Sequence, residues 1–134
     1  DVIICNDWQT SFVPALLKNQ YQNDEFYQGI KVVFLMHSLD VNRNYSKETY
    51  RMVNLETQCS GSMNDNVKYA MENSDVVISV TDEKESLLSK INNDENIADI
   101  YNNSNNLSLT VKKNAKSEDW QSIVDTLETV FKDL

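Results

Sequence analysis

The stretch KVVFLMH, from Lys31 to His37, is the segment that decides the fold class. Its central residues are all apolar, which is typical of a strand buried on both faces of a sheet. Val2 to Cys5 and Val76 to Val80 are similar short runs, and Leu107 to Val111 is apolar at alternate positions. Because segments with helical spacing separate these strands, the sequence predicts parallel βαβ units with right-handed crossovers. We therefore expect a three-layer α/β domain with a mostly parallel sheet.

The clearest helix is the last one. Ser117 is its candidate N-cap, and Glu118 and Asp119 complement the helix dipole. We interpret its apolar stripe as core rather than as a docking face; the stripe comprises Trp120, Ile123, Val124, Leu127, Val130, Phe131 and Leu134.

Shorter helices are predicted between the strands. Pro14 is tolerated only in a first turn, so the first regular helix begins near Val13, after a structured loop. A second helix is expected from Ser46 to Leu55. Asp82 with Glu85 resembles a capping box and marks the start of a further helix.

The composition is that of a single globular domain. The chain has 134 residues, of which 40% are hydrophobic and 25% are charged, and we treat residues 1–134 as one domain. The formal net charge of −9 argues against nucleic-acid and anionic-membrane partners, which an acidic surface repels. No apolar run approaches the length of about 18 residues that a membrane span requires.

The two cysteines bear on the cellular compartment, and the first residue bears on whether the chain is part of a longer protein. Cys5 and Cys59 have no CxxC spacing and no histidine nearby, which predicts two reduced thiols in a cytoplasmic protein. The sequence opens on Asp1, without an initiator methionine and already inside the first strand. We therefore expect a fragment of a longer protein.

Polar and aromatic side chains follow the first two strands. The first strand leads into Asn6, Asp7, Trp8 and Gln9, and the second ends at His37. Ligands of parallel sheets bind at the carboxyl ends of the strands. Tryptophan offers a flat apolar face for a pyranose, while aspartate, glutamine and histidine offer directional hydrogen bonds. The pattern therefore predicts a site of the size of a sugar between the two strand ends.

Each of these residues also has a structural interpretation. His37 can be a hydrogen-bonded strand-end residue, Trp8 can pack beneath the following helix, and Asp7 can cap that helix. The residues alone leave these alternatives open.

Cofactor motifs are missing from the sequence. One histidine and no CxxC leave too few ligands for a metal, and no G-x-S-x-G accompanies the histidine. Two glycines are too few for a glycine-rich phosphate loop. No metal and no other cofactor is predicted.

Three stretches resemble the glycogen and starch synthases of bacteria and plants. Asp1 to Lys18, DVIICNDWQTSFVPALLK, is similar to the family segment with an (H/N)DW(H/Q)-type motif followed by a helix with Pro and Leu. Tyr21 to His37, YQNDEFYQGIKVVFLMH, is similar to a tyrosine-containing helix end, a variable insert and a hydrophobic strand that ends in His. Val67 to Thr81, VKYAMENSDVVISVT, resembles a later helix and strand of the family.

The resemblance implies a retaining glucosyltransferase with the two-domain GT-B fold, of which this chain is the C-terminal portion of the Rossmann-like N-terminal domain. Such enzymes transfer glucose from ADP-glucose or UDP-glucose to an α-1,4-glucan, so these two molecules are the implied partners. By motif, Asp7, Trp8 and Gln9 match substrate-binding positions that line the cleft. His37 matches the strand-end histidine that faces the donor sugar and is important for catalysis.

The chain also departs from the family pattern. A Lys-x-Gly-Gly-type loop would precede Asp1, and residues 38–42 (SLDVN) replace the usual Asn and Tyr-Gln-Gly. Thr81-Asp82 replaces Ser-Pro, and no second nucleotide-binding domain follows. Some bacterial proteins that resemble the N-terminal half alone end with a similar strand and helix. We therefore expect a partial site without transferase activity in this chain alone.

Two other hypotheses are retained. The first is a non-catalytic glucan-binding, regulatory or partner-docking module, which the loss of Tyr-Gln-Gly favours. The second is an unrelated α/β protein with a chance match. If earlier strands are missing, an exposed sheet edge remains and predicts self-association.

Overall fold

The computed structural model describes residues 1–83 and 86–134. The strands within them are β1 (Val2–Asn6), β2 (Lys31–Met36), β3 (Asn44–Ser46), β4 (Met63–Asp65), β5 (Val76–Asp82) and β6 (Asn106–Val111). Four of them form a wholly parallel sheet in the order β1-β2-β5-β6, while β3 and β4 form a separate antiparallel pair. The predicted α/β fold with a mostly parallel sheet is confirmed.

The helices connect these strands. They are α1 (Val13–Leu16), α2 (Lys47–Met52), α3 (Asn66–Glu72), α4 (Leu87–Asn92), α5 (Ala98–Asn103) and α6 (Ser117–Lys132). A 3-10 turn at Trp8–Thr10 precedes α1, and a π-helical turn at Leu17–Tyr21 extends it. The predicted helix start at Val13 is confirmed, because Pro14 lies in the first turn, where its missing N–H costs nothing.

Two predicted helix caps are wrong. The cap of α4 is Ser86, whose Oγ accepts the Ser89 N–H at 3.1 Å, whereas Asp82 is the last residue of β5. Glu85, the other half of the predicted capping box, lies outside the described residues. In α6 the cap is Lys116 rather than Ser117.

At the start of α6 the capping group comes from within the helix. The Lys116 N–H donates to the Asp119 carboxylate at 2.9 Å, and Ser117 is already helical. In a capping box, the acidic side chain at the third helical position accepts the N–H of the cap residue itself. The predicted acidic first turn of α6, with Glu118 and Asp119, is confirmed.

The crossover helices lie on one face of the main sheet. Residues of α3, α4 and α5 pack there against Cys5, Val32, Phe34 and Met36. Because all three connections cross the same face of sequentially ordered strands, they share one hand.

In this core, burial raises the pKa of the Cys5 thiol to about 11, and both cysteines are free thiols.

The opposite face is covered by α6, which completes the three layers. Val33, Val76, Ile78 and Leu109 form its buried layer. Five members of the predicted stripe pack against them, namely Ile123, Leu127, Val130, Phe131 and Leu134. The interpretation as core is wrong for Trp120 and Val124, which are exposed. No helix in the described ranges is long and apolar enough to span a bilayer.

Candidate functional site

Asp7 follows β1 at the carboxyl end of the sheet. Its N–H donates to the Leu35 carbonyl of β2 at 2.7 Å, so the residue is still tied to the neighbouring strand. Its φ of 56° and ψ of −170° lie in a region that costs a non-glycine residue about 1–3 kcal/mol. An aspartate in this conformation indicates that its side chain makes compensating interactions.

The Asp7 carboxylate turns inward and holds the end of β2. Only 4% of the side chain is exposed. Ser38 Oγ donates to Asp7 Oδ2 at 2.7 Å, and His37 Nδ1 lies 3.3 Å from the same oxygen. The side chain makes no capping hydrogen bond to the turn that follows, so the interpretation of Asp7 as a helix cap is wrong.

His37 lies between this carboxylate and solvent. Its side chain is 49% exposed and forms part of the wall of a cleft. A carboxylate beside Nδ1 favours the tautomer that carries its hydrogen there, which leaves Nε2 as a hydrogen-bond acceptor. The arrangement can therefore orient an imidazole toward a hydroxyl group of a bound molecule.

Trp8 and Gln9 lie in the 3-10 turn that follows Asp7. Trp8 is half-buried and belongs to none of the three hydrophobic clusters that the described residues form. Its predicted alternative role as core is therefore not supported. Gln9 is exposed.

A buried polar network holds this turn in place. Ser11 Oγ donates to the Trp8 carbonyl at 2.7 Å, Asn66 Nδ2 donates to Ser11 Oγ at 2.5 Å, and the Tyr50 hydroxyl donates to Asn66 Oδ1 at 2.7 Å. Burial, with smaller contributions from neighbouring groups, raises the pKa of Tyr50 far above its usual value, so it remains a neutral donor. Sequence reasoning missed Ser11 and Asn66, because no local pattern links residues from α3 to a turn so far away in the chain.

The cleft beside His37 has a volume of about 390 Å³ and lies at the carboxyl ends of β2, β5 and β6. Asp40 and Lys90 form an ion pair in its wall. Thr81 Oγ1, also in the wall, is buried and has no hydrogen-bond partner within the described residues. The strand-end rule points to Thr81, but only packing shows that Lys90 reaches this cleft.

Only some of the predicted site residues lie close to one another in the structure. Asp7 and His37 are in contact. The cleft beside His37 lies at the ends of β2, β5 and β6, whereas the sequence predicts a site between the ends of β1 and β2. Trp8 and Gln9 are not part of the wall of the cleft beside His37. Among the described residues, no three Asp, Glu, His or Cys side chains are grouped so that they could hold a metal ion.

The class that the fold and the site define is an α/β domain with a parallel main sheet, in which Asp7 and His37 follow two adjacent strands. The fold is similar to that of the catalytic domain of starch synthase IV from Arabidopsis thaliana, with a TM-score of 0.67 and 20% sequence identity. The match covers 82% of this chain and 25% of that one.

Sequence comparison gives the family. Residues 1–95 match the starch synthase catalytic domain, and the chain belongs to that family. The glycogen synthase of Clostridium kluyveri is 47% identical over 47 residues, which are 35% of this chain and 10% of the relative. The glycogen synthase of Chlorobium chlorochromatii is 33% identical over 61 residues, or 46% of this chain and 12% of the relative. The matched region therefore spans only about a tenth of these relatives.

Proposed function

We propose that this chain forms the acceptor-side part of a glycogen or starch synthase site, which transfers glucose from ADP-glucose or UDP-glucose to an α-1,4-glucan. The observation that carries the proposal is the contact of Asp7 with His37, at neighbouring strand ends and inside the family match. The starch synthase IV domain of similar fold was solved with ADP and acarbose, which supports a nucleotide sugar and a glucan as ligands.

Each site residue has a role in this proposal. His37 is the catalytic residue and hydrogen-bonds a hydroxyl of the transferred glucosyl unit through Nε2. Asp7 acts mainly through His37, as a positioning residue that fixes the tautomer and the ring plane. Trp8 offers its exposed ring surface to an acceptor pyranose, and Gln9 offers its amide.

We propose that the 134-residue chain alone is inactive, because its match spans only about a tenth of the glycogen synthases to which it is similar. The test is incorporation of radiolabelled glucose from ADP-glucose and from UDP-glucose into glycogen. We expect no incorporation above a blank without protein. Robust turnover by the 134-residue chain, abolished by His37→Ala, would overturn this part of the proposal.

The second candidate is a non-catalytic glucan-binding or partner-docking module. The Asp40–Lys90 ion pair favours it, because Asp40 belongs to the segment that departs from the family pattern and now contributes to the wall of the cleft.

Glucan binding at Trp8 separates the functions that need a glucan from partner docking. In a Trp120→Phe background Trp8 is the only tryptophan of the 134-residue chain. Titration with maltooligosaccharides should then change the fluorescence emission of Trp8. His37→Ala should weaken the response, while Met52→Ala on α2 should not. A flat titration up to millimolar sugar would contradict any glucan-binding role for this turn and leave partner docking.

We also propose a mode of association and a location for this chain. The edge of β1 that does not pair with β2 is proposed to mediate self-association, supported by the exposed side chains of Val2 and Ile4 beside it. A cytoplasmic location is proposed from the two unpaired cysteines.

A further inference from the structure

Three aromatic rings cluster on the surface between α1 and β2. We call Tyr21, Phe26 and Tyr27 the aromatic patch. The ring centroids of Tyr21 and Tyr27 are 5.2 Å apart, and those of Phe26 and Tyr27 are 5.0 Å apart. Phe26 is 79% exposed. The patch precedes β2, so it lies at the amino end of that strand, away from the candidate site at the carboxyl ends.

The backbone beneath the patch is well ordered by hydrogen bonds to Asp24. Its carbonyl accepts the N–H groups of Tyr27 and Gln28 at 3.0 and 2.9 Å, and its Oδ1 accepts the Phe26 N–H at 2.9 Å. Gly29, with a φ of 81°, then turns the chain into β2. The backbone that carries the rings is therefore held in a turn, which reduces the backbone freedom that is lost when a ligand binds.

A polar cleft adjoins the patch. It has a volume of about 210 Å³, and its wall includes Tyr27, Gln22, Lys18, Lys31 and Asp75. An amide, two ammonium groups and a carboxylate thus lie beside the half-buried ring of Tyr27, which contacts the exposed rings of Tyr21 and Phe26. Directional polar groups around a small apolar surface are the composition of a ligand site rather than of a core.

We propose that the aromatic patch and this cleft form a second binding site, which takes an α-glucan chain. One face of a glucose ring consists of C–H groups, which pack on the electron-rich face of an aromatic ring, while the hydroxyl groups at the ring edge meet the polar groups of the cleft. In the wall of the cleft, Asp75 lies 3.0 Å from Lys18 and 3.9 Å from Lys31 and neutralises part of their charge, so hydrogen bonding to a neutral sugar remains open to these groups. The identity of the ligand rests on the proposed function.

The test is a titration of the isotope-labelled 134-residue chain with maltoheptaose, followed by NMR. We expect saturable amide shifts across residues 21–31. Phe26→Ala should raise the Kd for these shifts about five- to tenfold, the effect of losing one aromatic contact. Phe26→Trp should preserve binding. Met52→Ala is the matched control, because Met52 is 80% exposed on α2 and lies outside the patch, and it should change nothing.

The outcomes separate this site from the one at His37. Shifts confined to Trp8 and His37, unchanged by Phe26→Ala, would overturn the second site and leave the proposed function standing. Shifts at the patch without shifts at Trp8 would support the second site and contradict the proposed acceptor site. Equal shifts with cellohexaose would overturn the assignment to an α-linked glucan. An absence of shifts at both places would overturn both. Unchanged circular dichroism and thermal midpoint exclude misfolding of the variants.

Discussion

At the scale of single residues, Asp7 combines an unfavourable backbone with a buried charge. Its conformation is one that glycine adopts easily, yet its carboxylate is needed to hold Ser38 and to lie beside His37. Strained residues of this kind persist where the surrounding structure fixes them, and they cluster at functional sites. The strain therefore supports a role for Asp7 beyond packing.

Two substitutions separate the strain from the hydrogen bond. Asp7→Ala keeps the unfavourable φ and loses the bond to Ser38, and we expect it to lower the free energy of unfolding by about 2–3 kcal/mol. Asp7→Gly loses the same bond but relieves the backbone, so its cost should be smaller by about 1 kcal/mol. Urea unfolding measures both. The control is Gln9→Ala, an exposed position two residues after Asp7. Equal losses of stability in the two Asp7 variants would show that the backbone at Asp7 is not strained.

Asp75 gives a stability effect that depends on pH. It accepts the Val32 N–H at 2.7 Å and the Lys18 ammonium at 3.0 Å. Partial burial alone raises its pKa, but these donors outweigh burial and hold the pKa below the ordinary value of 3.8. The unfolded chain therefore takes up this proton first as the pH falls. The stabilisation is complete above pH 3.8 and is lost as the pH falls through the lower folded pKa.

Asp75→Asn should therefore destabilise the chain most at neutral pH. We expect a loss of about 1–2 kcal/mol at pH 7, from hydrogen bonds to a charged group that is partly exposed. The difference from the unsubstituted chain should narrow as the pH is lowered below 3.8. Chemical unfolding at a series of pH values measures this, with the exposed Glu72→Gln on α3 as control. A difference that stays constant with pH would contradict the assignment.

At the scale of elements, α6 is the single helix that the described residues place on its face of the sheet. Leu127 packs on the buried layer of β2, β5 and β6, whereas Val124 on the same helix is exposed. Leu127→Ala should cost about 1–2 kcal/mol, less than a fully buried leucine, and Val124→Ala less than about 0.5 kcal/mol. Thermal or urea unfolding of both variants checks this. Similar losses would mean that α6 does not pack as described.

The elements also show which parts of the fold the sequence could predict. Three strands of the main sheet contain apolar runs long enough to be recognised, and β6 is apolar at alternate positions. The acidic first turn marks α6. The β3–β4 pair could not be predicted, because its two strands have three residues each and no apolar pattern.

For the candidate site, the rule that ligands bind at the carboxyl ends of parallel strands predicts that Asp7 and His37 lie at the same edge of the sheet. The positive φ of Asp7 and the bonds that join Tyr50, Asn66 and Ser11 could not be predicted. They depend on side chains that only tertiary packing places in contact.

At the scale of the whole molecule, the open edge of β1 predicts association between copies. Ile4 is 53% exposed beside that edge, and a second β1 could pair there. Ile4→Lys should shift the chain toward monomer in sedimentation velocity, because a charge on an edge strand opposes pairing. Val124→Lys adds the same charge to an exposed apolar position on α6 and should not. A monomer at all concentrations before substitution would contradict the proposal.

The strand order has a consequence for how the chain folds while it is being synthesised. Each strand of the main sheet after β1 pairs with a strand that the ribosome has already made. The sheet can therefore grow at one edge, and no strand must insert between two others. Among the described residues, α6 covers the side of the sheet that carries Val33, Ile78 and Leu109. A nascent chain that ends before Ser117 therefore presents a bare apolar sheet, which is a surface that chaperones recognise and that promotes aggregation.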